Sequence, residues 1–94
     1  MAKIEIDPMD LSLRLYRQWD KGWFALTAGD FSAGRFNAMT VNWGSMGIMW
    51  GRPFVQTVVR PTRFTYRFIE EFDNFTLCGF PEQYRKALNV LAGC

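Results

Sequence analysis

The close spacing of short apolar runs is the feature that most constrains how this chain folds. Four such runs, residues 23–29, 36–43, 46–50 and 54–60, follow one another with only a few turn-forming residues between them. The last of them, FVQTVVR, is rich in β-branched residues, and Gly, Asp and Pro mark the intervening turns. Short strands at this spacing favour a small β-barrel or an α+β domain over a doubly wound parallel sheet.

Two amphipathic helices are predicted after these runs, separated by a fifth strand at residues 75–80. Phe64, Phe68 and Phe72 recur at the helical spacing, which predicts a helix over residues 62–72. A last helix begins at residues 81–82, and its apolar side carries Tyr84, Leu88 and Leu91. The segment LSLRLYRQW near the N-terminus fits either a short helix or an irregular arm. The predicted fold class is mainly β with two helices, in a single domain that spans residues 1–94.

Histidine and cysteine counts exclude several chemistries. The chain has no histidine and two cysteines, Cys78 and Cys94, which lie too far apart in sequence to suggest a zinc site or a redox dithiol. We therefore predict no catalytic side chains and no metal site. No apolar run approaches the roughly 18 residues that cross a bilayer, and no signal sequence is recognisable, so we expect a cytoplasmic protein without membrane contact.

The charge balance points to small anions and away from nucleic acid. The net charge of +2 is too small for a typical phosphate-backbone binder, yet eight of the eleven basic residues are arginine. The planar guanidinium group suits two-pronged contact with carboxylate or phosphate, although ordinary salt bridges also use it. Hydrophobic residues make up 49% of the chain, which is more than a small monomer hides easily. Part of this apolar surface is expected to face a partner or a ligand.

The stretch NAMTVNWG, residues 37–44, has two dissimilar faces if it is a strand. Met39, Val41 and Trp43 alternate on a bulky face that is predicted to enter the core. The opposite face is small or polar and consists of Ala38, Thr40, Asn42 and Gly44. This small face fits two interpretations equally: a wall for a flat heteroaromatic ring, or a device that lets another backbone pack closely, with Asn42 starting a turn.

The stretch RPTRFT, residues 60–65, gathers hydroxyl and guanidinium groups where a strand is predicted to pass into a helix. Its polar residues are Arg60, Thr62, Arg63 and Thr65. A helix N-terminus with such side chains suits a phosphate monoester. The competing interpretation is that Thr62 caps the helix, Arg63 is solvated and Arg67 pairs with Glu70 or Glu71. Taken alone the segment favours capping, and the two roles are compatible.

Three longer stretches carry a resemblance to a known family: NAMTVNWGSMGIMWGRP, VVRPTRFTYRFIEEFDNFTLCGF and PEQYRKALNVLAG. Together they resemble the flavin reductase-like family with the FMN-binding split barrel, in particular its flavoredoxin-like members. The preceding WFALTAGD resembles the first strand of that family. The resemblance covers the chain from about Asp20 onward. It implies a six-stranded, Greek-key split barrel, usually a homodimer, with FMN near the subunit interface.

The resemblance also assigns roles by position. Thr40, Val41, Asn42 and Trp43 match the segment that lies along the flavin ring and ribityl chain, and Arg60, Thr62, Arg63 and Thr65 match the segment near the phosphate. It implies hydride transfer from NAD(P)H to flavin, for which the protein chiefly binds and orients. Family members continue well beyond Cys94, so we expect only part of the barrel here. A non-enzymatic FMN-binding electron carrier and a fragment that only dimerises are the alternatives.

Overall fold

A computed structural model of the chain describes residues 4–91. Its strands are β1 (Phe24–Asp30), β2 (Arg35–Val41), β3 (Gly44–Met49), β4 (Arg52–Thr57) and β5 (Phe75–Gly79). Its α-helices are α1 (Leu15–Arg17), α2 (Tyr66–Glu71) and α3 (Arg85–Leu91). A π-helical turn (Gln18–Gly22) continues α1, and 3₁₀ turns lie at Pro8–Asp10 and Glu82–Tyr84.

The strands form two antiparallel sheets. One sheet has three strands in the order β2-β1-β5, and the other is the hairpin β3-β4. In β1, Leu26 lies between Met39 of β2 and Leu77 of β5, so the central strand brings apolar side chains from all three strands together. The prediction of a small β-rich domain with helices is confirmed. Within residues 4–91 the two sheets do not close into a barrel.

The core lies against the central strand. Its buried residues are Trp19, Phe24, Leu26, Ala28, Met39 and Val41, with Phe68 and Ile69 of α2 packed against them. Met39 and Val41 therefore occupy the core face that the alternation predicted. Trp43 does not, because β2 ends at Val41 and the strand alternation no longer applies two residues later. Its side chain is 57% exposed, so the core assignment of Trp43 was wrong.

The helices differ from their predicted bounds. Instead of spanning residues 62–72, α2 begins at Tyr66, because the chain before it is wound into successive turns. Phe68 packs on the core, whereas Phe64 is 52% exposed. In α3 the side chain of Leu88 is buried and that of Tyr84, just before the helix, is largely exposed. The side chain of Leu91 and all of Cys94 lie outside the described residues.

The observed bounds of β4 and β3 also differ from the predicted ones. The predicted strand 54–60 begins earlier, at Arg52, and ends at Thr57. The predicted break at Gly44 is instead the first residue of β3. A Cβ atom on Gly44 would clash with the Trp19 ring, so this glycine permits close packing, as one of the two interpretations of NAMTVNWG proposed. None of the described helices is long and apolar enough to span a membrane.

Candidate functional site

A cleft opens where β2 ends and where the chain leaves β4. We call it the Trp43 cleft, and its volume is about 200 Å³. Its lining residues are Trp23, Met39, Thr40, Val41, Asn42, Trp43, Val58, Arg60 and Arg63. The cleft therefore joins three separate stretches of chain: the start of β1, the end of β2 with the residues that follow, and the segment after β4.

Six of the eight predicted site residues line this cleft. They are Thr40, Val41, Asn42, Trp43, Arg60 and Arg63. The two threonines of RPTRFT do not line it. Thr62 is exposed in the turn before α2, and Thr65 is fully buried, with its hydroxyl donating to Asn37 Oδ1 at 2.6 Å. The two sequence segments thus converge on the cleft, whereas Thr62 and Thr65 take no part in its lining.

Trp43 and Arg60, two of the exposed residues of the cleft, contact each other. The Arg60 guanidinium carbon lies 5.5 Å from the Trp43 ring centroid, which is within the range of a cation–π contact. The Trp43 carbonyl accepts hydrogen bonds from the Thr57 hydroxyl at 3.1 Å and from the Val58 N–H at 3.2 Å. These bonds fasten the segment after β2 to the end of β4. They explain why residues so far apart in sequence meet here.

The wall formed by the end of β2 is less polar than the sequence suggested. The Thr40 hydroxyl donates to the Leu88 carbonyl of α3, and the Thr40 side chain is buried. Val41 is buried in the core. Asn42 is exposed and is therefore the polar side chain of this wall that reaches solvent. The Thr40 hydroxyl is therefore engaged as a donor to α3, and the predicted place of Thr40 in the site stays a prediction.

The first N–H groups of α2 already donate to carbonyl groups of the preceding turns, whereas a phosphate site at the helix N-terminus would use free ones. The Tyr66 N–H donates to the Arg63 carbonyl, and the Arg67 N–H donates to the Phe64 carbonyl. Thr65, not Thr62, occupies the N-cap position, and its side chain makes no capping bond. The predicted Thr62 cap was therefore wrong. Anion binding in this region depends on the arginine side chains.

The neighbouring charged groups of α2 are arranged differently from the predicted pairs. Glu71 binds Arg35 of β2 through two hydrogen bonds of 2.7 and 2.8 Å. The Arg67 guanidinium lies over the Phe64 ring, 5.8 Å from its centroid. This arrangement ties α2 to the edge of the three-stranded sheet. It leaves the arginines of the cleft in a separate group.

The cleft belongs to a strongly basic part of the chain. Between Asp30 and Glu70 the sequence contains five arginines, no lysine and no acidic residue. Arg60 is exposed and Arg63 is half-buried, and both line the cleft. The described residues that line the cleft include two guanidinium groups and no carboxylate, which gives the lining a positive local potential. The cleft therefore favours an anionic ligand.

Shifted titrations occur away from the cleft. A hydrogen bond from the Ser32 hydroxyl lowers the pKa of Asp30 in the loop between β1 and β2. A hydrogen bond to Glu70 raises the pKa of Tyr66 in α2. Among residues 4–91 there is no group of three or more His, Cys, Asp or Glu that would hold a metal ion. The arginine and aromatic side chains of the cleft are therefore its candidate binding groups.

Three cleft residues were not predicted as site residues: Met39, Val58 and Trp23. Trp23 is the aromatic one of the three. It precedes β1, is half-buried, and has φ of 65°, which is unusual for a bulky residue. The apolar run WFALTAG suggested only that Trp23 begins a buried strand. Nothing in that pattern marks it as a residue that faces a cleft.

Comparison with known proteins gave no further guide, since no family model, curated protein or solved structure matched the chain. The volume and the lining of the cleft therefore decide how well FMN fits. Ligand pockets for molecules of this size usually measure roughly 300 to 1,000 Å³. At about 200 Å³ the Trp43 cleft fits part of an FMN molecule, and its arginines suit the phosphate end.

Proposed function

We propose that this chain is an FMN-binding protein of the flavin reductase-like class. The observation that supports the proposal is the convergence of NAMTVNWG and RPTRFT, the two segments assigned to FMN by resemblance, on one basic cleft. Arg60 and Arg63 bind the phosphate through charge-assisted hydrogen bonds. Asn42 faces the polar edge of the ligand, Trp43 supplies exposed apolar surface, and Val41 supports that wall from the core.

Under this proposal the bound flavin supplies the redox chemistry, so the protein needs no acid, base or metal of its own. The chain binds, orients and shields. As a reductase it accepts hydride equivalents from NAD(P)H. As an electron carrier it holds the same flavin without admitting a nicotinamide. The small volume of the cleft favours the carrier, because a nicotinamide stacked on a flavin requires additional space.

We also propose that the working form is a homodimer with a split-barrel fold. The chain exposes 7496 Å² of surface. A monomeric protein of 11.0 kDa exposes about 5,600 Å². The excess of about 1,900 Å² per chain, or about 3,800 Å² for two chains, falls within the roughly 2,000 to 5,000 Å² that obligate homodimer interfaces bury in total. A second copy would also deepen the cleft if it sits beside it, which agrees with a site that holds only part of FMN.

An apolar groove supports the same association. It has a volume of about 1000 Å³ and lies between the N-terminal segment (residues 8–15), the β3-β4 hairpin and β5. An isolated two-stranded hairpin is marginally stable in water, and residues of both β3 and β4 line this groove. Covering the groove would bury the exposed side chains of Ile48 and Val55.

The visible absorption spectrum of the purified protein, with and without added FMN, tests the proposal. We expect a perturbed flavin spectrum and a one-to-one stoichiometry per chain. A folded protein whose addition leaves the FMN spectrum and fluorescence unchanged would defeat it. If FMN binds, anaerobic addition of NADH or NADPH separates the two activities: rapid bleaching identifies a reductase, and a stable oxidised spectrum identifies a carrier.

A further inference from the structure

Trp23 has a backbone conformation that the fold must enforce. Its φ of 65° and ψ of 173° lie in a region that a bulky side chain rarely adopts. Residues in such conformations persist where their surroundings hold them, and they cluster at ligand sites. Trp23 lies at the junction between the π-helical turn (Gln18–Gly22) and β1, where a glycine would have met the backbone requirement at less cost.

One neighbour fixes the backbone of Trp23 on both sides. The Gln18 carbonyl accepts the Trp23 N–H, and Gln18 Nε2 donates to the Trp23 carbonyl at 2.9 Å. The indole is also fixed, because its Nε1–H donates to the Asp20 carbonyl at 3.1 Å. Three hydrogen bonds therefore hold a single residue whose side chain is only half-buried.

The indole ring of Trp23 is supported from α3. The Arg85 guanidinium carbon lies 4.0 Å from the ring centroid, the shortest of the cation–π contacts among the described residues. Such contact restrains the tilt of the ring. Trp23 also lines the Trp43 cleft. The indole ring is thus restrained through its backbone, its edge and one face, in a residue that lines a cleft. Such a ring offers a preformed surface to a ligand.

We infer that Trp23 is the stacking platform of the Trp43 cleft, on which the planar ring of an aromatic anion lies while Arg60 and Arg63 bind its anionic group. The choice of flavin as that ring depends on the proposed function, whereas the platform depends only on the geometry of Trp23. Stacking of a heterocycle on an aromatic side chain needs a rigid ring and no matched hydrogen bonds. The restraints on Trp23 provide such a ring. Gln18 and Arg85 act as positioning residues for it.

Riboflavin and FMN titrations of variants test this role. Trp23→Ala should weaken both ligands by the same factor, roughly five-fold to 150-fold, because stacking acts on the ring and not on the phosphate. Trp23→Phe should retain most of the affinity. Trp50→Ala is the matched control, since Trp50 is 94% exposed and does not line the cleft, and it should bind as the parent does. Unchanged riboflavin affinity in a folded Trp23→Ala protein would overturn the inference.

Two further measurements keep the outcome decisive. If Trp23→Ala does not fold, Gln18→Leu tests the same point, because it retains the ring and removes the bond to the Trp23 carbonyl. It should weaken riboflavin and FMN equally, and unchanged affinity would count against the platform. If the parent protein binds neither flavin, the proposed function fails, and anilinonaphthalene sulfonate becomes the probe. Binding of this aromatic anion that Trp23→Phe retains and Gln18→Leu weakens would support the platform, and binding unchanged in Gln18→Leu would reject it.

Discussion

The tip of the β3-β4 hairpin gives a sharp test of how local backbone chemistry sets stability. Met49 pairs with Arg52, so Trp50 and Gly51 form a two-residue loop. Their φ values of 56° and 72° are both positive, as a type I′ turn requires. Asn-Gly is a preferred sequence for that turn, whereas a tryptophan at the first position is strained. Left-handed backbone costs an ordinary L-residue about 1 to 2 kcal/mol.

Trp50→Asn should therefore stabilise the protein. Because the Trp50 side chain is 94% exposed, its removal sacrifices little burial. Relief of most of the backbone cost predicts a gain of about 1 kcal/mol in the free energy of unfolding and a rise in Tm of roughly 4 to 8 °C for a domain of this size. Denaturant unfolding followed by circular dichroism measures the change.

Trp50→Ala is the control for this prediction. Alanine also removes the exposed ring, but it has no special tolerance of left-handed backbone, so its stability should stay close to that of the parent. The measurement should be made at low protein concentration, where a change in self-association does not alter the result. An Asn variant no more stable than the Ala variant would refute the type I′ argument.

Three other substitutions test the core, the α3 contact and the loop between β1 and β2. Leu26→Ala should lower the free energy of unfolding by about 3 to 5 kcal/mol, because Leu26 is fully buried in the central strand, and urea unfolding would reveal it. Thr40→Val should cost about 1 to 3 kcal/mol, because it leaves the carbonyl of Leu88 without its donor, and hydrogen exchange in α3 should accelerate. Because the pKa of Asp30 is lowered, its ionised carboxylate contributes to the free energy of unfolding at pH above the ordinary pKa of 3.8. This contribution is lost as the pH falls through the lower pKa of the folded state. Asp30→Asn should reduce the loss of stability on acidification, and an unchanged pH profile would contradict the role of the Ser32 bond.

Local patterns located the strands that the structure describes. The apolar runs that predicted them overlap all five, and the alternation of Met39 and Val41 identified the core face of β2. The same alternation failed at Trp43, because period-two reasoning holds only while the strand continues. Helix spacing likewise identified Phe68 as a packing residue but could not show where the first helical turn begins, since the turns before Tyr66 are held by their own hydrogen bonds.

The cleft was predictable only in part. The resemblance placed NAMTVNWG and RPTRFT at one site, and six of the eight site residues predicted in them do line one cleft. The commitment of Thr40 to α3 depends on a partner 48 residues away, which no local pattern reveals. Trp23 was missed for a similar reason: its unusual φ results from bonds to Gln18, and an aromatic residue at the start of an apolar run gives no sign of them.

The central claim is that the arginines of the Trp43 cleft bind the phosphate of FMN. Its most direct test is the ratio of FMN to riboflavin affinity in the parent protein, in Arg60→Ala, and in the control Arg52→Ala, whose exposed arginine lies on the hairpin and not in the cleft. We predict that the parent prefers FMN, and that Arg60→Ala weakens FMN by roughly 10-fold or more, in line with a lost charged hydrogen bond, while riboflavin is unaffected. Arg52→Ala should retain the full preference. Equal affinity of the parent for both flavins, or equal loss of both in Arg60→Ala, would contradict the assignment.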